Sequence, residues 1–189
     1  MTTQQVIERL AAWLRDNVCA DIKFPRAMSD SYFERDDLSR ELVNPEVYEG
    51  AMPRDVAEQQ PGERAPKHNV APCIIVAPAE AAEMSARIGQ VEQPIRLGVQ
   101  VWEPGYIERA EDGSVSYLPG DAGYRDLTCF VDRIVTALAE DQLPSGIRIV
   151  GGISYTFADF AKAESWPYFP ASVTFKVQYH RFIKPQFDI

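Results

Sequence analysis

Residues 173–180 read VTFKVQYH, and this stretch decides the class of fold. Apolar residues occupy every second position, which is the period of a β-strand with one buried face and one solvated face. Residues 95–102 read IRLGVQVW and alternate in the same way. Strands of this kind are typical of an antiparallel sheet that is covered on one side only.

Two further segments complete the predicted sheet. Residues 73–76 are a short apolar run between Pro72 and Pro78, which indicates a buried strand. Residues 147–157 form an extended run interrupted by a Gly-Gly pair at 151–152, and glycines inside a strand pattern predict a β-bulge. The predicted sheet therefore takes two strands from the middle of the chain and two from its last quarter.

Two segments carry the helical period instead. Residues 4–17 and 122–141 place apolar side chains at the i, i+3, i+4, i+7 spacing. Thr2 and Gln5 form a capping-box pattern before the first helix, and Asp121 is a favourable N-cap for the second. We predict an α+β fold: a four-stranded, mostly antiparallel sheet with two helices packed on one face.

A long segment, residues 25–69, lacks either period. It holds five prolines and many charges, and so predicts a long extended arm or loop inserted in a single domain that spans residues 1–189. Aromatic side chains such as Tyr32, Phe33 and Tyr48 punctuate it, which a pure linker would lack. We expect an arm that orders against another surface; the alternative is a mobile surface loop.

Composition excludes some classes of function. The chain has 19 basic and 28 acidic residues, a net charge of −9, whereas proteins that hold nucleic acid tightly carry a basic excess. The acidic balance serves solubility alone, or also lets a polyanion pass without sticking. Three scattered cysteines without a CxxC pair fit a reducing compartment. The N-terminal pattern is not that of a signal peptide, and no apolar run predicts a membrane span.

Residues with catalytic or metal-binding potential do not form recognisable motifs. The two histidines, His68 and His180, have no metal-ligand spacing, and no GxSxG, P-loop or GxGxxG motif is present. Cys129 has no base beside it in sequence, and we expect it to pack on the flank of its helix. The sequence therefore predicts a protein that is not an enzyme, with no catalytic, cofactor-binding or metal site and no cofactor.

Aromatic residues cluster where predicted strands begin and end. Trp102 and Tyr106 follow one strand, and Trp166 and Tyr168 precede another. Amphipathic aromatics at such junctions are common in protein–protein contacts. Together with the aromatic residues of the arm, they make the predicted interface Tyr32, Phe33, Tyr48, Trp102, Tyr106, Trp166 and Tyr168. The alternative is that these rings close the ends of the core.

The order of these motifs resembles a known family. Residues 96–99 read RLGV on a strand, 123–127 read GYRDL at the start of a helix with Arg133-Ile134 further on, and 166–169 read WPYF before the last strand. This order is similar to that of the small tail-terminator or tail-completion (neck) proteins of long-tailed bacteriophages. The resemblance covers residues 95–182, and its motifs are structural.

The resemblance implies a homo-oligomeric ring, a hexamer, on the head-proximal end of the tail tube. Such a ring ends tube growth and contacts the tail tube protein and the head–tail connector or stopper protein. DNA would pass through its lumen without specific binding and without any membrane contact. The protein would be made in the host cytoplasm and reside in the tail or neck of the virion.

This interpretation leaves three alternatives. Residues 25–69 depart from the compact members of the family, so the station is a tail terminator, a head–tail joining protein or another tail component. A component of a bacterial injection machine or gene-transfer particle would share the ring architecture. The competing class is an intracellular α+β enzyme or small-ligand binder with residues 25–69 as a lid.

Overall fold

A computed structural model describes residues 1–27, 40–52, 71–85, 89–109, 115–118, 120–140, 142–158 and 167–181. The helices are α1 (Thr3–Leu14), continued by a π-helical turn (Arg15–Cys19), and α2 (Ala122–Ala139). The strands are β1 (Phe24–Pro25), β2 (Leu42–Val43), β3 (Glu46–Glu49), β4 (Cys73–Pro78), β5 (Glu83–Ser85), β6 (Gln90–Trp102), β7 (Tyr106–Arg109), β8 (Val115–Leu118), β9 (Ile147–Phe157) and β10 (Tyr168–His180). Among the described residues, neither helix combines the length and apolar character of a membrane span.

The main sheet has the strand order β3-β4-β6-β10-β9, with β5 pairing β6 beyond the end of β4. The four predicted strands form its antiparallel centre, β4-β6-β10-β9, so the α+β class is confirmed. The prediction of a four-stranded sheet is wrong, because β3 adds in parallel to β4 and β5 adds antiparallel to β6. Both added strands are too short for a period of two to reveal them.

The long strands pair over their full length. Tyr168 lies opposite Trp102 and His180 opposite Gln90, so β6 and β10 form the centre of the sheet. Between β10 and β9 the register shifts opposite Thr174 and Lys176, beside the Gly-Gly pair at 151–152, which confirms the predicted bulge. Gly151 has φ +80°, a conformation that glycine adopts without steric penalty.

Both helices contribute to one core on one face of the sheet. Alternate residues of β6 and β10 face this core, where Phe130 of α2 packs on Phe24 with ring centroids 5.1 Å apart. Burial of each large apolar side chain stabilises the fold by about 1.5–3 kcal/mol. The buried side chains are Val6, Leu10, Leu14, Ile74, Val76, Ile95, Leu97, Val99, Leu127, Phe130, Ile134, Leu138, Val173, Phe175 and Val177.

The ends of the helices test two capping predictions. The capping box of α1 is confirmed: the Gln5 amide donates to Thr2 Oγ1 at 3.2 Å, and the Thr2 amide donates to Gln5 Oε1 at 2.9 Å. The predicted side-chain cap of α2 is wrong. Asp121 has helical φ and ψ, and its carboxylate accepts from Arg125 Nη2 at 2.7 and 2.8 Å instead of from a backbone amide.

The opposite face of the sheet is polar. Gln178 of β10 lies between Arg148 of β9 and Glu92 of β6, accepting from the first and donating to the second. Lys176 Nζ lies 3.5 Å from Glu92 Oε2 in the same row. Cross-strand pairs of this kind fix the register of neighbouring strands.

Candidate functional site

Three of the connections that leave the main sheet lie at one end of it. Trp102 ends β6 opposite Tyr168, which begins β10, and Phe157 ends β9 opposite Ala171. The connections 103–121 and 158–167 therefore start or end here, as does the return from residue 71 into β4. We call this end, defined by Trp102, Phe157 and Tyr168, the loop end.

The base of the predicted arm is fixed to the loop end. The Arg26 amide donates to the Glu41 carbonyl at 2.8 Å, next to the β1–β2 pair. The Ala27 amide donates to the Ala71 carbonyl, also at 2.8 Å. Residues 25–27 and 40–52 thus belong to the body of the protein, whereas 28–39 and 53–69 lie outside the described residues.

A buried ion pair adds to this anchor. Arg40 Nη1 donates to both carboxylate oxygens of Glu103, at 2.5 and 2.6 Å, and Arg40 Nη2 donates to the Gly105 carbonyl at 2.7 Å. The Glu103 side chain is 4% exposed and that of Arg40 is 33% exposed. Because a buried carboxylate needs a partner, this pair holds Arg40 against the connection that follows β6.

Asp126 on α2 lies within the field of that pair. Burial raises the pKa of its carboxyl, repulsion from Glu103 raises it further, and attraction to Arg125 and Arg40 opposes both. The loop end therefore holds two carboxylates and a shared arginine, with the Asp126 proton held more tightly than in water.

The structure separates the seven predicted interface residues. Tyr32, Phe33 and Trp166 lie outside the described residues, and of Tyr106 only the backbone, at the start of β7, is described. Trp102 is 1% exposed and packs with Ala71, Ala27 and Tyr168, which matches the alternative that it closes the core. Tyr48 is 7% exposed and donates to Glu46 Oε2 at 2.7 Å. Of these seven residues, Tyr168 is the one whose ring is described and partly accessible.

A different aromatic group is exposed at the loop end. The ring of Phe157 lies 5.7 Å from that of Tyr124 and 5.7 Å from that of Tyr155. Tyr124 is 43% exposed and Tyr155 is 50% exposed. We call these three residues the aromatic patch. Tyr155 and Phe157 lie two positions apart on β9, and this spacing in the sequence indicates two rings on one face. The contribution of Tyr124 depends on how α2 packs, which the sequence does not show.

The two edges of the main sheet differ. At the β3 edge, Arg15 Nη2 donates to the outward carbonyl of Val47 at 2.8 Å and to Glu49 Oε1 at 3.1 Å, so a side chain occupies the edge. At the other edge, β9 pairs only with β10 among the described residues. Exposed edges accept further strands, and natural proteins usually block them.

Two of the three cysteines are buried and one is exposed. Burial raises the pKa of both Cys19 and Cys73 to about 12, which keeps them as thiols. Cys129 is exposed, so its expected packing on the helix flank is wrong.

No group of three metal-ligating side chains occurs in the described part of the chain. Hollows of about 470 and 340 Å³ lie beside β3 and beside the start of β9.

The fold defines this chain as an α+β protein with two helices over one face of a mixed sheet. No protein-family profile matches the sequence, and no curated protein matches it either. The geometry of the chain and its motifs are therefore the basis for a functional conclusion.

Proposed function

We propose that this protein is a structural assembly protein of a long-tailed bacteriophage. It forms a homo-oligomeric ring, a hexamer, on the head-proximal end of the tail tube, ends tube growth and joins the tail to the head connector. Its partners are copies of itself, the tail tube protein and the connector or stopper protein. It is made in the host cytoplasm and resides in the neck of the virion.

One observation carries this proposal: within the described residues, the outer edge of β9, beside the aromatic patch, pairs with no other strand. The strand has 11 residues, one charged side chain and no proline. An edge with this composition favours pairing with another chain. A repeated contact between two different surfaces of one protein closes a ring when its rotation allows closure. The motifs at 123–127 and 166–169 add the resemblance to tail-completion proteins.

The charge of the chain agrees with a ring around DNA. A net charge of −9 per copy gives a hexamer a strongly negative surface. Repulsion between this surface and the phosphates would let DNA pass through the lumen, since attraction would retain it.

The first experiment is native mass spectrometry over a concentration series, with and without tail tube protein. The proposal expects a discrete ring, alone or when tube protein is added, and tubes that stop lengthening in its presence. Tyr155→Ala should weaken assembly, whereas Leu42→Ala, which removes another exposed apolar side chain, should not. A chain that stays monomeric in both conditions and leaves tube length unchanged would refute the proposal.

A small-ligand binder is the second candidate. The observation that favours it is the half-buried Asp126 beside Arg40 and Glu103, at the base of residues 25–69, which would then act as a lid. A ligand that binds the folded state raises its thermal midpoint, and the rise grows with the logarithm of the ligand concentration once that concentration exceeds Kd. A monomer that gains several degrees with a small cationic or polar ligand would support this candidate over the ring.

A further inference from the structure

The β7–β8 ribbon follows β6 at the loop end and, in the part of the chain that the structure describes, forms a sheet of two strands only. Tyr106 pairs with Leu118 and Arg109 with Val115, and within the described residues neither strand pairs with anything else. Five of its eight residues are apolar or aromatic: Tyr106, Ile107, Val115, Tyr117 and Leu118. An isolated two-stranded ribbon is marginally stable in water, so this one gains most from a third strand.

The outer edge of β9 offers that strand. The Ala158 amide donates to the Pro170 carbonyl at 3.2 Å. Hydrogen-bonding direction alternates along an antiparallel strand, so Tyr155 and Phe157 direct their backbone groups away from β10. The side chains of these same two residues belong to the aromatic patch, on the helix side of the sheet. A strand added here would gain both backbone bonds and ring contacts.

Two other pairings are less favourable. The β3 edge is a poor partner for β9, because Arg15 already occupies the outward carbonyl of Val47 and Glu49. A two-fold β9–β9 contact would close a dimer and leave the β7–β8 ribbon without a partner. Among the strands that the structure describes, pairing of the ribbon with β9 gives both elements a partner and joins unlike surfaces.

We propose that the β7–β8 ribbon of one copy adds to the outer edge of β9 in the next copy. The partner of this surface is thus a second copy of the chain, and the added strand lies beside the aromatic patch of the accepting copy. Each copy donates one ribbon and accepts one, so the contact is head-to-tail, and it closes a ring when the rotation from copy to copy allows closure. The inference rests on the proposed ring and names the contact that builds it.

Cross-linking in a Cys129→Ser background tests this contact. Cys19 and Cys73 are buried, so the single introduced thiol is the reactive one. Ser154→Cys places a thiol on β9 and Ser116→Cys places one on β8. Each variant is treated with a short bismaleimide alone, and the two are then treated as a mixture, under the conditions that give the ring by native mass spectrometry.

The expected result is a cross-linked dimer in the mixture, little product in either variant alone, and a ladder up to the ring number in the double variant. Tyr155→Pro and Tyr155→Ala both remove the ring, but only the proline also removes the outward N–H, so Tyr155→Pro should weaken assembly about tenfold more than Tyr155→Ala. Self-linking of Ser154→Cys alone would show a β9–β9 dimer and overturn the inference.

Two further outcomes separate this inference from the proposed function. A ring by native mass spectrometry with no link between positions 116 and 154 would refute the ribbon contact and leave the ring standing. Absence of any oligomer, with or without tube protein, would refute both.

Discussion

Replacing Gly123 with alanine should destabilise the protein, although alanine is the better helix former. Gly123 is the second residue of α2, and a Cβ built there would lie 2.4, 2.6 and 2.8 Å from three ring atoms of Phe169. Contacts this short do not occur, so the Phe169 ring or the helix must move. Phe169 is 8% exposed in the core, which leaves its ring little room.

The sign of the effect follows from two opposing magnitudes. Glycine to alanine inside a helix gains about 1 kcal/mol, and less near the first turn. Overpacking a core position costs about 1–3 kcal/mol. We expect a net loss of about 1–2 kcal/mol, and at 189 residues each kcal/mol lowers the thermal midpoint by about 2–4 °C.

The assay is urea and thermal unfolding of a double-mutant cycle. Gly123→Ala should be destabilising alone but neutral or stabilising in a Phe169→Leu background, where the smaller side chain vacates the space. Gly98→Ala is the matched control: its added Cβ would meet only Ile75 Cβ at 3.8 Å, an ordinary contact. A neutral or stabilising Gly123→Ala in the wild-type background would refute the argument from the close approach of Phe169.

Three other predictions concern the loop end and α1. Arg40→Ala should cost about 2–3 kcal/mol by urea unfolding, because it leaves the Glu103 carboxylate buried without its cation. Asp126→Asn should stabilise the protein at neutral pH, because the raised pKa of the Asp126 carboxyl means that its ionised form opposes folding. The gain in the urea midpoint should shrink as the pH falls, because Asp126 is then protonated and no longer opposes folding. Thr2→Ala should lower the stability by about 1 kcal/mol, measured by thermal unfolding, through loss of the N-cap.

Each of these has a control and a contrary outcome. Glu103→Gln should recover part of the stability that Arg40→Ala loses, because it removes the uncompensated buried charge. If Arg40→Ala loses the same stability with Glu103 as with Gln at that position, the ion pair is not the cause of the loss. A carboxyl whose pKa is raised by folding stabilises the folded state below the unfolded-state pKa of 3.8, and this contribution is lost as the pH rises. A gain in stability from Asp126→Asn that grows in acid would therefore contradict the raised pKa of Asp126. Thr2→Ser keeps a hydroxyl and should be close to neutral.

Much of the secondary structure was predictable because its signals are local. The alternation of residues 95–102 and 173–180 depends only on the period of a strand beside a covered face. The capping box at Thr2 and the bulge at Gly151 depend on neighbours within a few positions. These features followed from propensity and spacing alone.

The candidate site was only partly predictable, for the same physical reason. Trp102 and Tyr168 were each placed near a strand end, but their pairing and the burial of Trp102 against Ala27 and Ala71 depend on the tertiary structure. Asp121 looked like a helix cap, yet its side chain pairs with Arg125 instead. Composition cannot show which of two available hydrogen bonds a side chain makes.

The sequence by itself therefore determined the class of fold, the long strands, the two helices and the absence of familiar catalytic motifs. Tertiary structure alone decided that Glu46–Glu49 joins the sheet, that Arg40 reaches Glu103 across 63 positions, and that Tyr124 joins Phe157 in an exposed patch. Local periods arise from the geometry of the backbone. Contacts between distant residues arise from the packing of whole elements, which no short window of sequence contains.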